Sequence, residues 1–300
     1  MLRYLAAALA LLLLLAGLGA VLHDRIFGGT PATAATARRP APAAEPMLGP
    51  SLDALELTSV DGVVERRTAT GWRALSAHDP IASRDTIRTR EGGRARIETG
   101  AIAVELADRS ELTVGDMSAT SAEVSLDDGR VSARNGKTGR KVRVVATDAG
   151  TVAESEVGKF DVLAGTGQAA VASEEGAVAV RAHGGDVTLH PGEQTFVAAA
   201  APPTAPVTIP GSLFLKVGLR DRLVAGTTAP GARVAVGGTA IAADGAGAFQ
   251  VPAPPPGAPT SIEVIAEDVL GRTVRRIVTL RRPRRVPPPP PPVQAEVQWK

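Results

Sequence analysis

Apolar and polar residues alternate with a period of two through much of the chain between residues 51 and 200. The alternation is clearest at 94–98, 122–126, 141–144 and 177–180. Successive side chains of a strand point to opposite faces of a sheet, so each stretch predicts a strand with one buried face. Pairs typical of tight turns separate the stretches: Asp61-Gly62, Gly92-Gly93, Asp128-Gly129, Asn135-Gly136, Glu175-Gly176 and Pro191-Gly192. No window of helical length is amphipathic, so the pattern predicts a multi-stranded β domain over 51–200.

A second, shorter series of strands is predicted over 211–282. Residues 261–266 alternate, and a tight turn at 244–247 leads into a strand that carries Phe249 facing inward. Roughly seven short strands fit into this length, which predicts a small β-sandwich.

The longest apolar run, residues 4–22, interrupts this strand-like character at the amino terminus. It contains no charge, and as a helix its 19 residues extend about 28 Å, close to the hydrocarbon thickness of a bilayer. A signal peptide cleaved after Gly19 is an alternative, and a buried helix is another. The run exceeds a usual signal core, which favours a transmembrane anchor within 1–27. Only three residues precede it, so we expect the amino terminus inside and the bulk of the chain in the periplasm, at the inner membrane.

Proline-rich segments connect and follow these units. Residues 28–50 contain five prolines and no apolar periodicity, which predicts a semi-rigid Ala/Pro-rich stalk. Residues 201–210 form a second Ala/Pro linker. The tail, 283–300, contains six consecutive prolines and is rich in arginine.

Composition excludes several kinds of chemistry. Cysteine is absent, so disulfides, thiolate catalysis and thiolate metal sites are excluded. The four histidines show no metal-ligand spacing, and no nucleophile, base and orienting group come together in any recognisable motif. We therefore expect no enzyme, no metal and no cofactor.

Charge is unevenly distributed along the chain. Residues 51–200 contain 17 Lys+Arg against 23 Asp+Glu, and 201–300 contain 12 against 6. Seven arginines fall between 272 and 285 without one acid. Six are candidates for contact with an anionic envelope polymer or lipid: Arg275, Arg276, Arg281, Arg282, Arg284 and Arg285. Docking onto the acidic domain and a solvated strand and tail are the alternatives. No aromatic residues are interleaved, so nucleic acid is not an expected partner.

Trp72 is the one tryptophan of the first domain. Its indole would cover apolar area that the small aliphatic residues cannot, which favours a role as a core anchor. A ligand contact, such as stacking on a sugar, is the alternative.

An ordered series of segments in the first domain resembles the FecR domain. The segments lie at 71–75, 85–89, 93–97, 110–114, 126–131, 160–162, 171–180 and 187–194. The resemblance implies a periplasmic, β-rich module. The family's best-known members relay the state of an outer-membrane transporter to a cytoplasmic sigma factor. Residues 226–238, 244–249 and 266–271 similarly resemble bacterial immunoglobulin-like repeats, which mostly act as spacers or adhesive units.

Together these features predict an all-β protein: an N-terminal transmembrane helix, a FecR-like β domain and a small immunoglobulin-like sandwich. The leading expectation is a non-catalytic, membrane-tethered envelope protein that binds a protein, or a polysaccharide such as peptidoglycan. The alternative is a periplasmic sensor or regulator in a FecR-type signalling system. Three residues before the span cannot form a sigma-binding domain, so that alternative would lack one of its own.

Overall fold

The computed structural model describes residues 55–280, apart from 138, 166, 221 and 255–260. The predicted anchor, the stalk and the arginine- and proline-rich tail lie outside this part. Every regular element in it is a strand, which confirms the all-β class. No helix in the described residues is long and apolar enough to span a membrane.

Seventeen strands form the amino-terminal module, Leu55 to Thr208. They are β1 (Leu55–Asp61), β2 (Val64–Thr68), β3 (Gly71–Ala74), β4 (Pro80–Ile81), β5 (Thr86–Thr89), β6 (Arg94–Thr99), β7 (Ile102–Leu106), β8 (Glu111–Met117), β9 (Ser121–Asn135), β10 (Lys141–Ala146), β11 (Thr151–Ser155), β12 (Gly158–Gly165), β13 (Gln168–Glu175), β14 (Val178–Ala182), β15 (Gly185–Leu189), β16 (Glu193–Val197) and β17 (Val207–Thr208).

These strands form two sheets that share one long strand. Sheet A has the order β4-β1-β6-β7-β9-β12-β13-β16-β17, and sheet B the order β3-β2-β5-β8-β9-β10-β11-β14-β15. The first half of β9 runs parallel to β10 in sheet B, and its second half, from Gly129, pairs with β7 and β12 in sheet A. Each hairpin of the module therefore belongs to sheet A or to sheet B, and β9 is a strand of both sheets.

The core of this module is built from the inward positions of the alternating strands. In β10 every second residue is buried, and the same holds for most of β6. Leu57, Ile87, Leu112, Leu126 and Phe160 are completely buried. Each such side chain stabilises the fold by roughly 1.5–3 kcal/mol relative to leaving it exposed. Small aliphatic residues fill the remaining core, as the scarcity of aromatic residues requires.

The segment predicted as a linker at 201–210 lies along sheet A. Its strand β17 pairs with β16, and Thr204 accepts hydrogen bonds from the backbone nitrogen of Phe196 and the hydroxyl of Thr195. The Ile209 nitrogen donates to the Gly192 carbonyl oxygen at 2.8 Å. This segment is therefore held against the amino-terminal module along most of its length.

Seven strands form the carboxy-terminal module, Lys216 to Thr279. They are β18 (Lys216–Arg220), β19 (Leu223–Thr227), β20 (Arg233–Val236), β21 (Thr239–Ala242), β22 (Ala248–Pro252), β23 (Ser261–Glu267) and β24 (Thr273–Thr279). Sheet C has the order β18-β19-β22, and sheet D the order β21-β20-β23-β24. A separate core lies within this module and includes the buried Phe249. The resemblance to immunoglobulin-like repeats stays a prediction.

Candidate functional site

A cleft of about 720 Å³ lies between the two modules. Its floor is the outer face of sheet D, where Ala235, Ala240 and Ala242 lie beside Ile265. Its opposite wall comes from turns and strand ends of the amino-terminal module, including Arg94 and the Leu163–Gly165 stretch. The volume falls within the range of about 300–1,000 Å³ that is typical of ligand pockets.

Charges in the cleft are balanced. Five arginines line it, Arg94, Arg109, Arg130, Arg233 and Arg275, and so do five acids, Glu91, Asp108, Asp128, Glu263 and Glu267. Most of them form ion pairs, for example Arg275 with Glu263 at 3.2 Å and Arg233 with Asp128 at 3.4 Å. The cleft therefore does not present a net positive field to an anionic polymer.

Arg130 joins the two modules at the base of the cleft. From β9, its Nη1 donates to Asp161 Oδ1 on β12 at 3.2 Å, and its Nε donates to Glu267 Oε1 on β23 at 3.4 Å. The three side chains are 18%, 2% and 12% exposed, so solvent screens these pairs weakly. Removing one partner of such a buried ionic group is costly because it leaves an uncompensated charge.

An apolar contact lies beside this ionic cluster. Val269, in the turn between β23 and β24, packs with Leu163, Ala170 and Ala172 on the outer face of sheet A, and the neighbouring Leu270 lies against the same patch. The patch belongs to neither module's own core. The carboxy-terminal module thus covers a strip of small apolar residues that its neighbour leaves on its outer face.

Two glycines allow the modules to approach this closely. Gly271 has a φ of +76°, and a Cβ built there would lie 2.4 Å from Nη2 of Arg130. Gly231 has a φ of +67°, and a Cβ there would lie 2.7 Å from the ring of Phe196. A side chain at either position would be strained. At Gly271 it would displace the Arg130 guanidinium, and at Gly231 it would collide with Phe196 and Ala170.

Asp161 is the most unusual titratable group of the site. Burial raises its pKa to about 7, the neighbouring Glu174 acts in the same direction, and the Arg130 guanidinium and Lys159 ammonium oppose the shift. Its second oxygen, Oδ2, is buried without a hydrogen-bond donor. When Oδ2 carries a proton, it can donate a hydrogen bond to Glu174, and this oxygen then has a hydrogen-bond partner. Partial burial raises the pKa of Glu174, but hydrogen bonds with Asp161 and Lys159 outweigh it and lower that pKa.

The structure divides the predicted arginine run. Arg275 lines the cleft from the outer face of sheet D. Arg276, the next residue of β24, opposes the buried Val264 and therefore points to the other face. Arg276 is exposed there, on the edge strand of sheet D. Arg281, Arg282, Arg284 and Arg285 lie outside the described residues, and Arg272 donates to Asp268 and to the Pro210 carbonyl oxygen.

Trp72 does not belong to the core, so its interpretation as a core anchor is wrong. It is half-buried on β3, opposite Arg67, at the edge of sheet B. The Arg88 guanidinium carbon lies 3.7 Å from the centroid of its ring. Among the described residues β3 pairs with β2 alone. No strand in this part of the chain packs against the indole on its other side.

Candidate metal ligands do not converge within the ranges described, where no group of three or more His, Asp or Glu residues is suitably placed. His78 bonds to Glu56 at 2.7 Å, and His183 Nε2 lies 2.9 Å from the Ala149 carbonyl oxygen. His23 lies outside the described residues.

Sequence reasoning missed Arg130, Asp161, Glu267 and Val269. Asp161 carried one signal, since it is a charged residue between the apolar Phe160 and Val162, and therefore lies on the outer face. Nothing local indicated that this face is covered. The residues that cover it follow more than a hundred positions later.

Part of the amino-terminal module is similar to a known protein family. Residues 85–179, about a third of the chain, match the family model described as FecR protein. Residues 85–179 are therefore similar to a FecR domain, as the sequence predicts, and the match extends from β5 into β14 and includes Arg130 and Asp161.

Two crystal structures, at 2.50 and 1.65 Å resolution, of a protein described as a "putative anti-sigma factor" from Parabacteroides distasonis ATCC 8503 are also similar. Each is 17% identical, with a TM-score of 0.36, over 41% of this chain and 59% of that chain. The chain thus aligns with less than two thirds of either structure, and a TM-score of 0.36 is too low to assign a fold. No curated protein shows significant similarity to the sequence.

Proposed function

We propose that this protein is a non-catalytic, FecR-type regulatory component that is tethered to the inner membrane and receives a partner protein in the periplasm. The FecR match supports the regulatory class. The apolar run at residues 4–22 supports the tether. The two modules act together, and the cleft between them is the receiving surface. The observation that carries this proposal is a ligand-sized cleft to which both modules contribute walls.

The composition of the cleft favours a protein segment over a polysaccharide. None of the described residues that line it is aromatic, whereas sugar and base recognition commonly uses stacking on aromatic rings. Its floor combines alanines with Gly237 and Gly238, which allow another backbone to approach closely. Paired charges at the rim match a segment of mixed charge. These features fit an extended stretch of polypeptide.

Site-specific photo-crosslinking in intact cells tests this proposal. A photoreactive amino acid replaces Ala240, which is exposed on the cleft floor, and in a matched control it replaces Thr188, which is exposed on β15 away from the cleft. We expect a discrete adduct at position 240 that glycan-degrading enzymes leave intact and that yields peptides of a second protein by mass spectrometry, and none at 188. An adduct at 188 alone, or an adduct at 240 that only glycan-degrading enzymes remove, would contradict a protein partner in the cleft.

A further inference from the structure

A second charged surface, made of residues that do not line the cleft, lies on the hairpin that β2 and β3 form at the edge of sheet B. Within residues 64–74 the hairpin contains three arginines and one glutamate. Arg66 lies directly opposite Arg73, and Arg67 directly opposite Trp72. Like charges that face each other across a strand pair destabilise a hairpin, so this arrangement needs anions nearby.

The two acids that contact the hairpin arginines and their neighbours, Glu65 and Asp85, are already engaged. Glu65, the one acid of the hairpin, accepts hydrogen bonds from Arg88 at 2.7 Å and from Arg90 at 2.9 Å. The bond from Arg88 is the main cause that lowers the pKa of Glu65, which keeps this carboxylate ionised. Asp85 pairs with Arg66 at 3.1 Å.

Arg67 and Arg73 are the two hairpin arginines that these acids do not neutralise. Both side chains are exposed, and neither has an ion-pair partner among the described residues. Arg67 lies opposite Trp72 on one face of the hairpin, whereas Arg73 points to the other face. The turn of the hairpin, residues 69 and 70, is exposed. The rest of the module has the opposite charge, because residues 101–200 contain 9 Lys+Arg against 15 Asp+Glu while 51–100 contain equal numbers. The hairpin is thus a basic end on an otherwise acidic module.

We propose that this hairpin docks on the anionic phospholipid surface of the membrane that anchors the chain. Arginine guanidinium groups bind lipid phosphates, and tryptophan is enriched at the level of the headgroups because its ring is amphipathic. The proposal rests on the membrane tether of the proposed function. The tether raises the effective concentration of a contact that would be weak alone.

Fluorescence quenching of Trp72 by brominated lipids tests this directly. Trp72 and Trp299 are the two tryptophans, so Trp299→Phe leaves Trp72 as the reporter in the full-length chain. The chain is placed in nanodiscs of brominated phosphatidylcholine with or without phosphatidylglycerol. We expect quenching with phosphatidylglycerol, loss of it at high salt, and a decrease in apparent affinity of about fivefold for each of Arg67→Gln and Arg73→Gln.

The control variant is Arg181→Gln, since Arg181 is also exposed in sheet B but lies on β14, near its other edge. It should leave the quenching unchanged. Equal quenching in both lipids, no quenching in either, or insensitivity to Arg67→Gln and Arg73→Gln would overturn the proposal. Whether the chain is recovered with the nanodiscs tests the membrane tether independently of the hairpin. If the chain does not incorporate into nanodiscs, quenching is measured with vesicles of the same lipids. Circular dichroism verifies that each variant is folded.

Discussion

Replacing Val269 with aspartate is expected to detach the carboxy-terminal module from the FecR domain while both stay folded. Val269 is 2% exposed and packs on Leu163, Ala170 and Ala172. An unpaired carboxylate buried there costs about 3 kcal/mol or more, equivalent to a shift of at least about 100-fold in the docking equilibrium. Val269 contributes to neither module's core, so the penalty falls on the contact between the modules.

Small-angle scattering and limited proteolysis measure this effect. The radius of gyration should increase, and limited proteolysis should cut the segment that joins the modules, residues 209–215, faster. Ile277→Asp is the matched control, because it makes a similar change on the same module at a side chain that is 71% exposed. Retention of the wild-type radius and cleavage rate by Val269→Asp would show that this apolar contact does not hold the modules together.

Asp161→Asn is expected to remove much of the pH dependence of stability between about pH 4 and pH 7. Burial raises the pKa of Asp161 to about 7 from an ordinary value of 3.8. The folded state therefore binds a proton more tightly than the unfolded state does. The stabilisation of the folded protein by protonated Asp161 is complete below the pKa of this group in the unfolded state. It is lost as the pH rises through the pKa of Asp161 in the folded state. The slope contributed by this one group approaches 1.4 kcal/mol per pH unit within that window.

Asparagine matches the shape of the protonated acid. Its carbonyl oxygen can still accept from Arg130, and its amide can donate to Glu174, so the variant should keep the protonated form's stability at every pH. The measurement is urea unfolding of both proteins over this pH range, and the difference between them isolates Asp161 from other titrating groups. Parallel pH profiles would mean that Asp161 ionises normally in the folded protein. Ser132→Ala, at the position directly opposite Asp161 on β9, is the control and should keep the wild-type slope.

The sequence alone predicted the all-β class and much of the strand pattern of the FecR domain. Strands such as β10 and β14 are recoverable because alternation and flanking turns are encoded within a few neighbouring residues. The resemblance to FecR rests on the order of such segments, and the family match over 85–179 agrees with it. Trp72 shows the limit of this reasoning. Residue type suggested a core position, but its strand lies at the edge of the sheet, and strand order is not a local property.

Only the tertiary structure decided where the site lies. Arg130 and Glu267 are separated by 137 positions, and Arg130 and Asp161 by 31. Alternation shows that Asp161 points away from the core, but it does not show that the outward face is covered. In the sequence Val269 and Leu270 belong to an ordinary turn. The apolar patch that they cover is formed by residues of the amino-terminal module, Leu163, Ala170 and Ala172. Period-two patterning reports which face of each strand is apolar, whereas the packing of one module on another depends on residues that meet only after both have folded.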